Sequence, residues 1–189
     1  MAEIVARTAR LQLRKWTRDD AEPFYRVMNT PAVMRHLGGV QTAEQWADAV
    51  DRILGYQQQL GYTFWIVESE ADGAMLGFCG LKRVNAPGAP MPGAMEVGWR
   101  LREDAWGQWF AREAATAALD LAFDRFGADE VVALTVAANI GSWGLMKRLA
   151  MRPRPDLGYV DTRFPNPSDL NPTIVYSIAA AEWTAARSA

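Results

Sequence analysis

Hydrophobic and polar residues follow two different patterns in the first third of the chain. Residues 10–16 alternate singly between apolar and polar side chains, which predicts a strand. The segment 17–29 begins with a residue suited to N-capping and has two aspartates in its first turn, so it predicts a helix that Pro31 ends. Thr42–Gln45 then matches the S/T-x-x-E/Q capping box, which predicts a second helix that ends at Gly61.

The rest of the chain continues to alternate between the two kinds of element. Strands are predicted at 62–68, 74–84, 96–101, 130–137, 159–160 and 173–179, and helices at 104–126 and 139–149. A hairpin followed by β-α-β order combines antiparallel and parallel pairs. The predicted fold class is therefore α/β (α+β), with a central mixed β-sheet flanked by helices. The 189 residues, half of them apolar, suit one domain over 1–189.

Composition narrows the classes of function. The net charge of −2, with both signs interspersed, argues against nucleic acid as the partner, and the absence of a 20-residue apolar run argues against a membrane. Cys79 and His36 are the only residues of their types, so multi-cysteine and multi-histidine metal sites are excluded and no metal is predicted. The single thiol and the absence of a signal-like N-terminus favour a reducing, cytoplasmic location.

One segment has the features of a phosphate-binding turn. A strand over 96–101 leads through a short turn that contains Gly107 into the long helix. The first turn of a helix leaves N–H groups unpaired and carries partial positive charge, and glycine lets a ligand approach the backbone. An ordinary βα turn explains the same residues, and on local features alone the two interpretations stay open.

The residues around this turn resemble a known family. The sequence E-V-G-W-R-L is formed by Glu96-Val97-Gly98-Trp99-Arg100-Leu101, and W-G-Q-W-F-A-R-E-A by Trp106-Gly107-Gln108-Trp109-Phe110-Ala111-Arg112-Glu113-Ala114. Both resemble motifs of GNAT acetyltransferases, in particular the branch of ribosomal-protein-alanine (Rim-type) N-acetyltransferases. Downstream, Thr135–Met151 is similar to that branch's T-V-x-x-N-x-x-S and M-e-k-L-G-M motifs.

The chain departs from the family pattern at three places. Trp109 replaces the first glycine of the family's Q/R-x-x-G-x-G/A loop. Ala150 replaces the glycine of the M-e-k-L-G-M motif. The loop 161–167 lacks the histidine often found there. The replacement at Trp109 affects the expected affinity for the cofactor, and the missing histidine in the loop affects the expected substrate.

The resemblance implies a GNAT fold, acetyl-CoA as co-substrate and a role for each motif residue. The backbone of Trp99 and Leu101 would pair with the pantetheine arm, in a splay between two strands. The pyrophosphate would be bound by Trp106, Gly107, Gln108, Trp109, Phe110, Ala111 and Arg112. Asn139 would bind the amide region of the cofactor, and Ser142 would assist the departing thiolate. Glu96 would accept the proton of the amine.

Each role has a structural alternative. Trp99 and Leu101 also suit core positions, and Arg112 suits a solvated helix face. Asn139 is a preferred N-cap, with Ser142 at the N3 position. Glu96 suits a salt bridge or a hydrogen-bond acceptor. Tyr159 and Tyr176 are alternative acids or packing residues, and His36 is a substrate contact or a surface or core residue. Cys79 is expected to be a small core residue without a chemical role.

The predicted function is acetylation of a primary amine, on a protein N-terminus or a small molecule, by direct attack on acetyl-CoA in a ternary complex. The expected partners are acetyl-CoA and the amine, and a homodimer is left open. A catalytically silent acyl-CoA-binding module is the alternative, which Trp109 favours. An unrelated phosphate-binding α/β domain is a third.

Overall fold

The computed structural model describes residues 2–188, which form two compact units. The first unit extends to Lys82 and resumes over Gly98–Ala118; the second comprises Arg83–Val97 and the chain from Leu119 onward. In chain order the elements are β1 Ile4–Arg7, β2 Leu11–Arg14, α1 Ala21–Met28, α2 Pro31–Met34, α3 Ala43–Leu60, β3 Phe64–Ser69, β4 Met75–Arg83, β5 Met95–Leu101, α4 Phe110–Asp120, β6 Glu130–Val136, α5 Ile140–Arg148, β7 Arg152–Pro153, β8 Thr173–Ala179 and α6 Ala180–Arg187. The single domain predicted from chain length stays a prediction.

In the first unit, helices cover one face of an antiparallel sheet. Strands β1 to β4 pair in chain order, and the C-terminal end of β5 is the next strand beside β4 in the sheet. The core beneath α1, α2 and α3 is rich in aromatic rings: Phe24 stacks on Trp46 at 5.2 Å and on Phe78 at 5.7 Å between ring centroids. Such rings bury large apolar areas and pack in defined geometries, which fixes these helices on β3 and β4.

In the second unit, the strands follow the order β5-β6-β8-β7. β6 pairs antiparallel with β8 along its whole length, and it pairs parallel with β5 at Met95–Val131 and Glu96–Val132. Parallel and antiparallel pairs therefore coexist, and the predicted mixed α/β fold with flanking helices is confirmed. A second core cluster is formed by Val84, Val132, Tyr159 and Val175.

Local sequence signals predicted α3 correctly. Thr42 and Gln45 form the reciprocal capping box, and Gly61 ends the helix in the left-handed conformation with φ of 76°. Pro31 has a different role from the predicted one. It is the first residue of α2, because its fixed φ suits that position and Thr30 caps the helix by accepting from Val33 N–H at 3.2 Å.

Two other predicted boundaries are wrong. The helix predicted at 104–126 begins at Phe110, after a 3-10 turn, because Gly107 and Trp109 have left-handed φ values that no helix accepts. Its last turn, Leu121–Arg125, is π-helical. The strand predicted at 159–160 is a single bridge between Tyr159 and Thr173.

Four elements were not predicted, namely β1, α2, β7 and α6. Each is short or directly continues another element, so its hydrophobic pattern is weak. Among residues 2–188, none of the helices has the length and hydropathy needed to cross a membrane.

Candidate active site

Two glycines allow β5 to lie close to its neighbours in the first unit. A Cβ on Gly77, whose φ is 143°, would stand 2.1 Å from the carbonyl oxygen of Arg100. A Cβ on Gly98 would stand 2.8 Å from the ring of Phe64. The glycine of the E-V-G-W motif is therefore required by packing against an aromatic ring. This close packing sets the position of the strand end that leads into the turn.

The turn after β5 is held by hydrogen bonds from its own side chains. The indole N–H of Trp106 donates to the carbonyl of Leu101 at 2.7 Å, and the side-chain amide of Gln108 donates to the carbonyl of Asp104 at 2.6 Å. Gly107 has φ of 74° with open space where a Cβ would point. The turn is thus a shaped segment whose backbone stays accessible.

The first turn of α4 has open backbone donors. Its first intrahelical bond runs from Glu113 N–H to the carbonyl of Trp109 at 3.0 Å. Within residues 2–188, the preceding N–H groups of Phe110, Ala111 and Arg112 have no acceptor. The cap residue cannot supply one, because an indole donates but does not accept. Three N–H groups at the positive end of an 11-residue helix are therefore available to an anion.

The side chain of Trp109 projects outward from this turn. It is 58% exposed, and the Arg112 guanidinium lies 5.9 Å from its ring centroid. The replacement of glycine at this position therefore leaves the backbone donors in place. Arg112 is exposed, as expected for a solvated helix face, and adds positive charge beside the first turn.

Arg10 and Glu113 anchor the start of α4 to the β1–β2 turn. The Glu113 carboxylate accepts from Thr8 Oγ1 at 2.6 Å, from Arg10 N–H at 2.8 Å and from Arg10 Nε at 2.8 Å. The Arg10 guanidinium also donates to the carbonyl of Gln108 at 3.1 Å and lies 4.5 Å from the centroid of the Phe110 ring. Burial alone would raise the pKa of Glu113, but the hydrogen bonds from Thr8 and Arg10 outweigh it and lower that pKa.

Among residues 2–188, two residues other than glycine have positive φ, and both replace glycines of the family motifs. Trp109 has φ of 67° and Ala150 has φ of 59°. Ala150 follows α5 in a Schellman arrangement, in which its N–H donates to the carbonyl of Lys147 and Met151 N–H donates to that of Met146, each at 3.0 Å. The family glycines thus mark left-handed backbone positions, which glycine occupies without strain.

The second unit contains Asn139 and Ser142 at the start of α5. The Asn139 side chain accepts from Ser142 N–H at 3.3 Å, and its carbonyl accepts from Ser142 and Trp143 N–H at 3.1 and 3.3 Å. The capping alternative for Asn139 is therefore confirmed. Its side-chain amide group and the Ser142 hydroxyl are not used in the cap, and both residues are half-buried.

Glu96 and Tyr159 influence each other in the second unit. Glu96 is half-buried beside Val132 of β6. Burial raises the pKa of Tyr159 to about 12; a hydrogen bond with Thr173 opposes the rise, and the negative charges of Asp161 and Glu96 add to it. The Tyr159 phenol therefore holds its proton at neutral pH.

The remaining candidates have mainly structural surroundings. Tyr176 is buried in β8, and Trp99 and His36 are half-buried. Cys79 is fully buried in β4, and burial raises the pKa of its thiol far above the usual range. Cys79 is therefore a small core residue, as the sequence indicated. Among residues 2–188, no group of three or more His, Cys, Asp and Glu side chains is arranged to hold a metal ion.

The structure groups the predicted residues by unit. The first unit brings together the backbone of Trp99 and Leu101 with the turn and helix start over 106–112. The second contains Glu96, Asn139 and Ser142. Sequence reasoning missed the anchoring partners Thr8 and Arg10. The glutamate of the W-G-Q-W-F-A-R-E-A segment was the available signal, but its partners lie 103 and 105 residues away.

A mixed sheet with a strand that leads into a helix with open N–H donors defines an α/β protein suited to a phosphorylated ligand. The model of the acetyltransferase (GNAT) domain matches residues 10–152, so the chain belongs to this family. It is an acetyltransferase, and enzymes of this family use acetyl-CoA as the acetyl donor.

Known relatives and solved structures agree with this family. The chain is 29% identical to the uncharacterized protein YkkB of Bacillus subtilis (strain 168) over 145 residues, which is 76% of this chain and 83% of that protein. Its fold is similar to spermidine N-acetyltransferase from Vibrio cholerae in complex with CoA and spermine, with a TM-score of 0.72, 15% identity and coverage of 94% and 99%. It is also similar to the apo ribosomal L7/L12 alpha-N-protein acetyltransferase RimL, with a TM-score of 0.74, 15% identity and coverage of 95% of both chains.

Proposed function

We propose that this chain transfers the acetyl group of acetyl-CoA to a primary amine by direct attack in a ternary complex. The observation that carries the proposal is the open first turn of α4, where the N–H groups of Phe110, Ala111 and Arg112 lack acceptors within residues 2–188. These donors bind the pyrophosphate, with the turn over 106–109 shaping the approach. The backbone of Trp99 and Leu101 pairs with the pantetheine arm.

The chemistry uses side chains of the second unit. The neutral amine attacks the thioester carbonyl carbon, the C–S bond breaks, and the electron pair leaves on the CoA sulfur. Glu96 accepts the proton lost by the amine, directly or through water. The Ser142 hydroxyl donates a hydrogen bond or proton to the departing thiolate, and Tyr159 is the alternative acid. Asn139 binds the amide region of the cofactor through the side-chain amide group that the cap does not use.

The acceptor is a protein N-terminus or a small-molecule amine. The two similar structures described above act on these two kinds of acceptor, spermidine and a ribosomal protein, by their names. The motifs of this chain resemble the Rim-type branch, which favours an N-terminal amine, whereas the loop 161–167 lacks the branch's histidine.

A second candidate is an acyl-CoA-binding module without catalytic activity. Trp109 favours this alternative, because a large side chain with left-handed φ replaces the motif glycine. The two functions predict the same binding and different turnover.

One pair of measurements tests both. Acetyl-CoA is titrated into the protein by calorimetry, and loss of the thioester is followed with a panel of amines and peptides. We expect acetyl-CoA and CoA to bind and a plain nucleotide not to bind. We also expect the protein to acetylate at least one amine of the panel. Binding without turnover on the panel supports the silent module. Indifference to CoA contradicts both functions.

A further inference from the structure

Arg100 is a half-buried cation that has no carboxylate partner among residues 2–188. It lies in β5, where its Nη1 donates to the Met34 sulfur at 3.2 Å and its guanidinium carbon lies 4.8 Å from the centroid of the Phe78 ring. Its Nε is buried and has no hydrogen-bond partner. Within residues 2–188, no acidic side chain pairs with Arg100. A thioether is a weak acceptor, so the guanidinium has no strong acceptor among the described residues.

The other half-buried arginines of this chain pair with carboxylates. Arg14 donates to both Asp20 and Glu68, and Arg102 and Arg154 each grip a carboxylate with two nitrogens. Burying a cation is costly unless it is paired, and the other half-buried arginines of this chain are paired. At Arg100, burial without compensation lowers the pKa to about 10. An anion from outside the chain would supply the missing partner.

The surroundings of Arg100 leave room for selectivity. The Phe78 ring stacks on Phe64 at 4.9 Å between centroids, which makes an apolar wall beside the guanidinium. The carbonyl of Met34 accepts from Leu37 and Gly39 N–H at 2.9 and 3.1 Å, so the segment after α2 curls around the methionine that contacts Arg100. Arg100 as a whole is half-buried, so part of it still faces solvent.

We propose that Arg100 binds a carboxylate carried by the amine acceptor, and that the preferred substrates are amines bearing a carboxylate. The planar guanidinium matches a carboxylate bidentately, and the apolar wall strengthens the pair by excluding water. This inference rests on the proposed acetyl transfer, of which it names the substrate class. A phosphate of the cofactor has similar chemistry, and the test separates the two sources.

The kinetic test compares acceptors that carry a carboxylate with their neutral carboxamides. Glycine, β-alanine and γ-aminobutyrate are each measured against their own carboxamides, and peptides with Asp as second residue are measured against peptides with Asn. We expect the wild-type protein to prefer the carboxylate member by about tenfold or more in kcat/KM. The preference should disappear in Arg100→Met and survive in part in Arg100→Lys, while the KM for acetyl-CoA stays unchanged.

Arg26→Met is the matched control, because Arg26 pairs with Glu22 on an exposed helix face. It should keep the wild-type preference. Equal turnover of both members by the wild-type protein, or a preference that survives Arg100→Met, would overturn the proposal. A rise in the KM for acetyl-CoA in Arg100→Met, with the acceptor preference intact, would assign the cation to the cofactor and overturn it as well.

A binding measurement on the wild-type protein does not depend on turnover or on how the variants fold. The Nε–H resonance of Arg100 is assigned in ¹⁵N-arginine-labelled protein and followed while the same amino acids and carboxamides are added. A shift with the carboxylates alone supports the anion site even if no amine is acetylated, in which case only the transfer proposal fails. If neither the amino acids nor the carboxamides shift the resonance, the anion site is contradicted.

Discussion

The starts of helices α4 and α5 were both predicted to contact the cofactor, yet they satisfy their backbone donors in opposite ways. At α5, Asn139 accepts from Ser142 N–H through its side chain, and its carbonyl accepts from Trp143 N–H. At α4, the cap residue is Trp109, which has no side-chain acceptor, and the first three N–H groups are unpaired within residues 2–188. One helix start is satisfied by the protein, and the other can accept an anion.

This difference separates binding from chemistry. An anion at α4 replaces water and binds backbone N–H groups that no protein acceptor among residues 2–188 occupies. An anion at α5 would have to displace a cap worth about 1 kcal/mol. What α5 can offer is its unused side-chain groups, the Ser142 hydroxyl and the Asn139 amide. Under the proposed function, the pyrophosphate is therefore expected at α4 and side-chain roles at α5, and the following predictions test that division.

The largest effect is expected from Ser142→Ala. The cap uses the backbone of Ser142 and leaves its hydroxyl free, so stability should change by less than about 0.5 kcal/mol. If the hydroxyl assists the departing thiolate, kcat should fall by about a hundredfold or more. Steady-state kinetics, thermal unfolding and calorimetry measure kcat, stability and the affinity for acetyl-CoA, and this affinity should persist. Unchanged kcat would remove Ser142 from the mechanism and leave Tyr159 as the acid.

Glu113→Gln should have the next largest effect, on stability and on the cofactor. It weakens charge-assisted hydrogen bonds from Thr8 and Arg10, so we expect a loss of about 2 kcal/mol and a several-fold weaker affinity for acetyl-CoA. Glu22→Gln, on an exposed helix face, is the control and should cost under about 0.5 kcal/mol. Denaturant unfolding and calorimetry on both variants measure these changes.

The pH dependence of Glu113→Gln adds a second check. The folded-state pKa of Glu113 is lowered, so its stabilisation is present above the unfolded-state pKa and is lost as pH falls through the folded-state value. The stability difference between the wild-type protein and Glu113→Gln should therefore be full at pH 7 and shrink at acid pH. A difference that does not vary with pH would mean that the carboxylate charge is not what anchors α4.

The sequence predicted this molecule best where the signals are local. The capping box of α3 lies within four residues, and the structure reproduces it. The predicted start of α4 was wrong, because the sequence shows the left-handed backbone of Trp109 only as a departure from the family glycine. The anchor between Arg10 and Glu113 was missed because it joins residues that meet only after folding. Composition and periodicity carry no information about such pairs.

Asn139 allows its two roles to be separated by a pair of substitutions. Asn139→Ala removes the cap and should cost about 1 kcal/mol. Asn139→Asp keeps an equally good cap but removes the side-chain N–H donors, so stability should be retained. If the amide group binds the cofactor, affinity for acetyl-CoA falls in both variants. Affinity that falls in Asn139→Ala alone would show that capping is the whole contribution of this residue.

The smallest effects are expected from restoring the two family glycines. Trp109→Gly and Ala150→Gly each relieve a left-handed residue, which costs about 1–2 kcal/mol, and each adds about 0.5–1 kcal/mol of unfolded-state freedom. Both should therefore stabilise the protein by up to about 1 kcal/mol in denaturant unfolding. Only Trp109 precedes the open donors of α4, so only Trp109→Gly should change the affinity for acetyl-CoA, raising it several-fold as the backbone becomes more approachable. Equal affinities in the two variants would mean that the exposed indole does not restrict the site, and the argument for a silent module would then lose its main support.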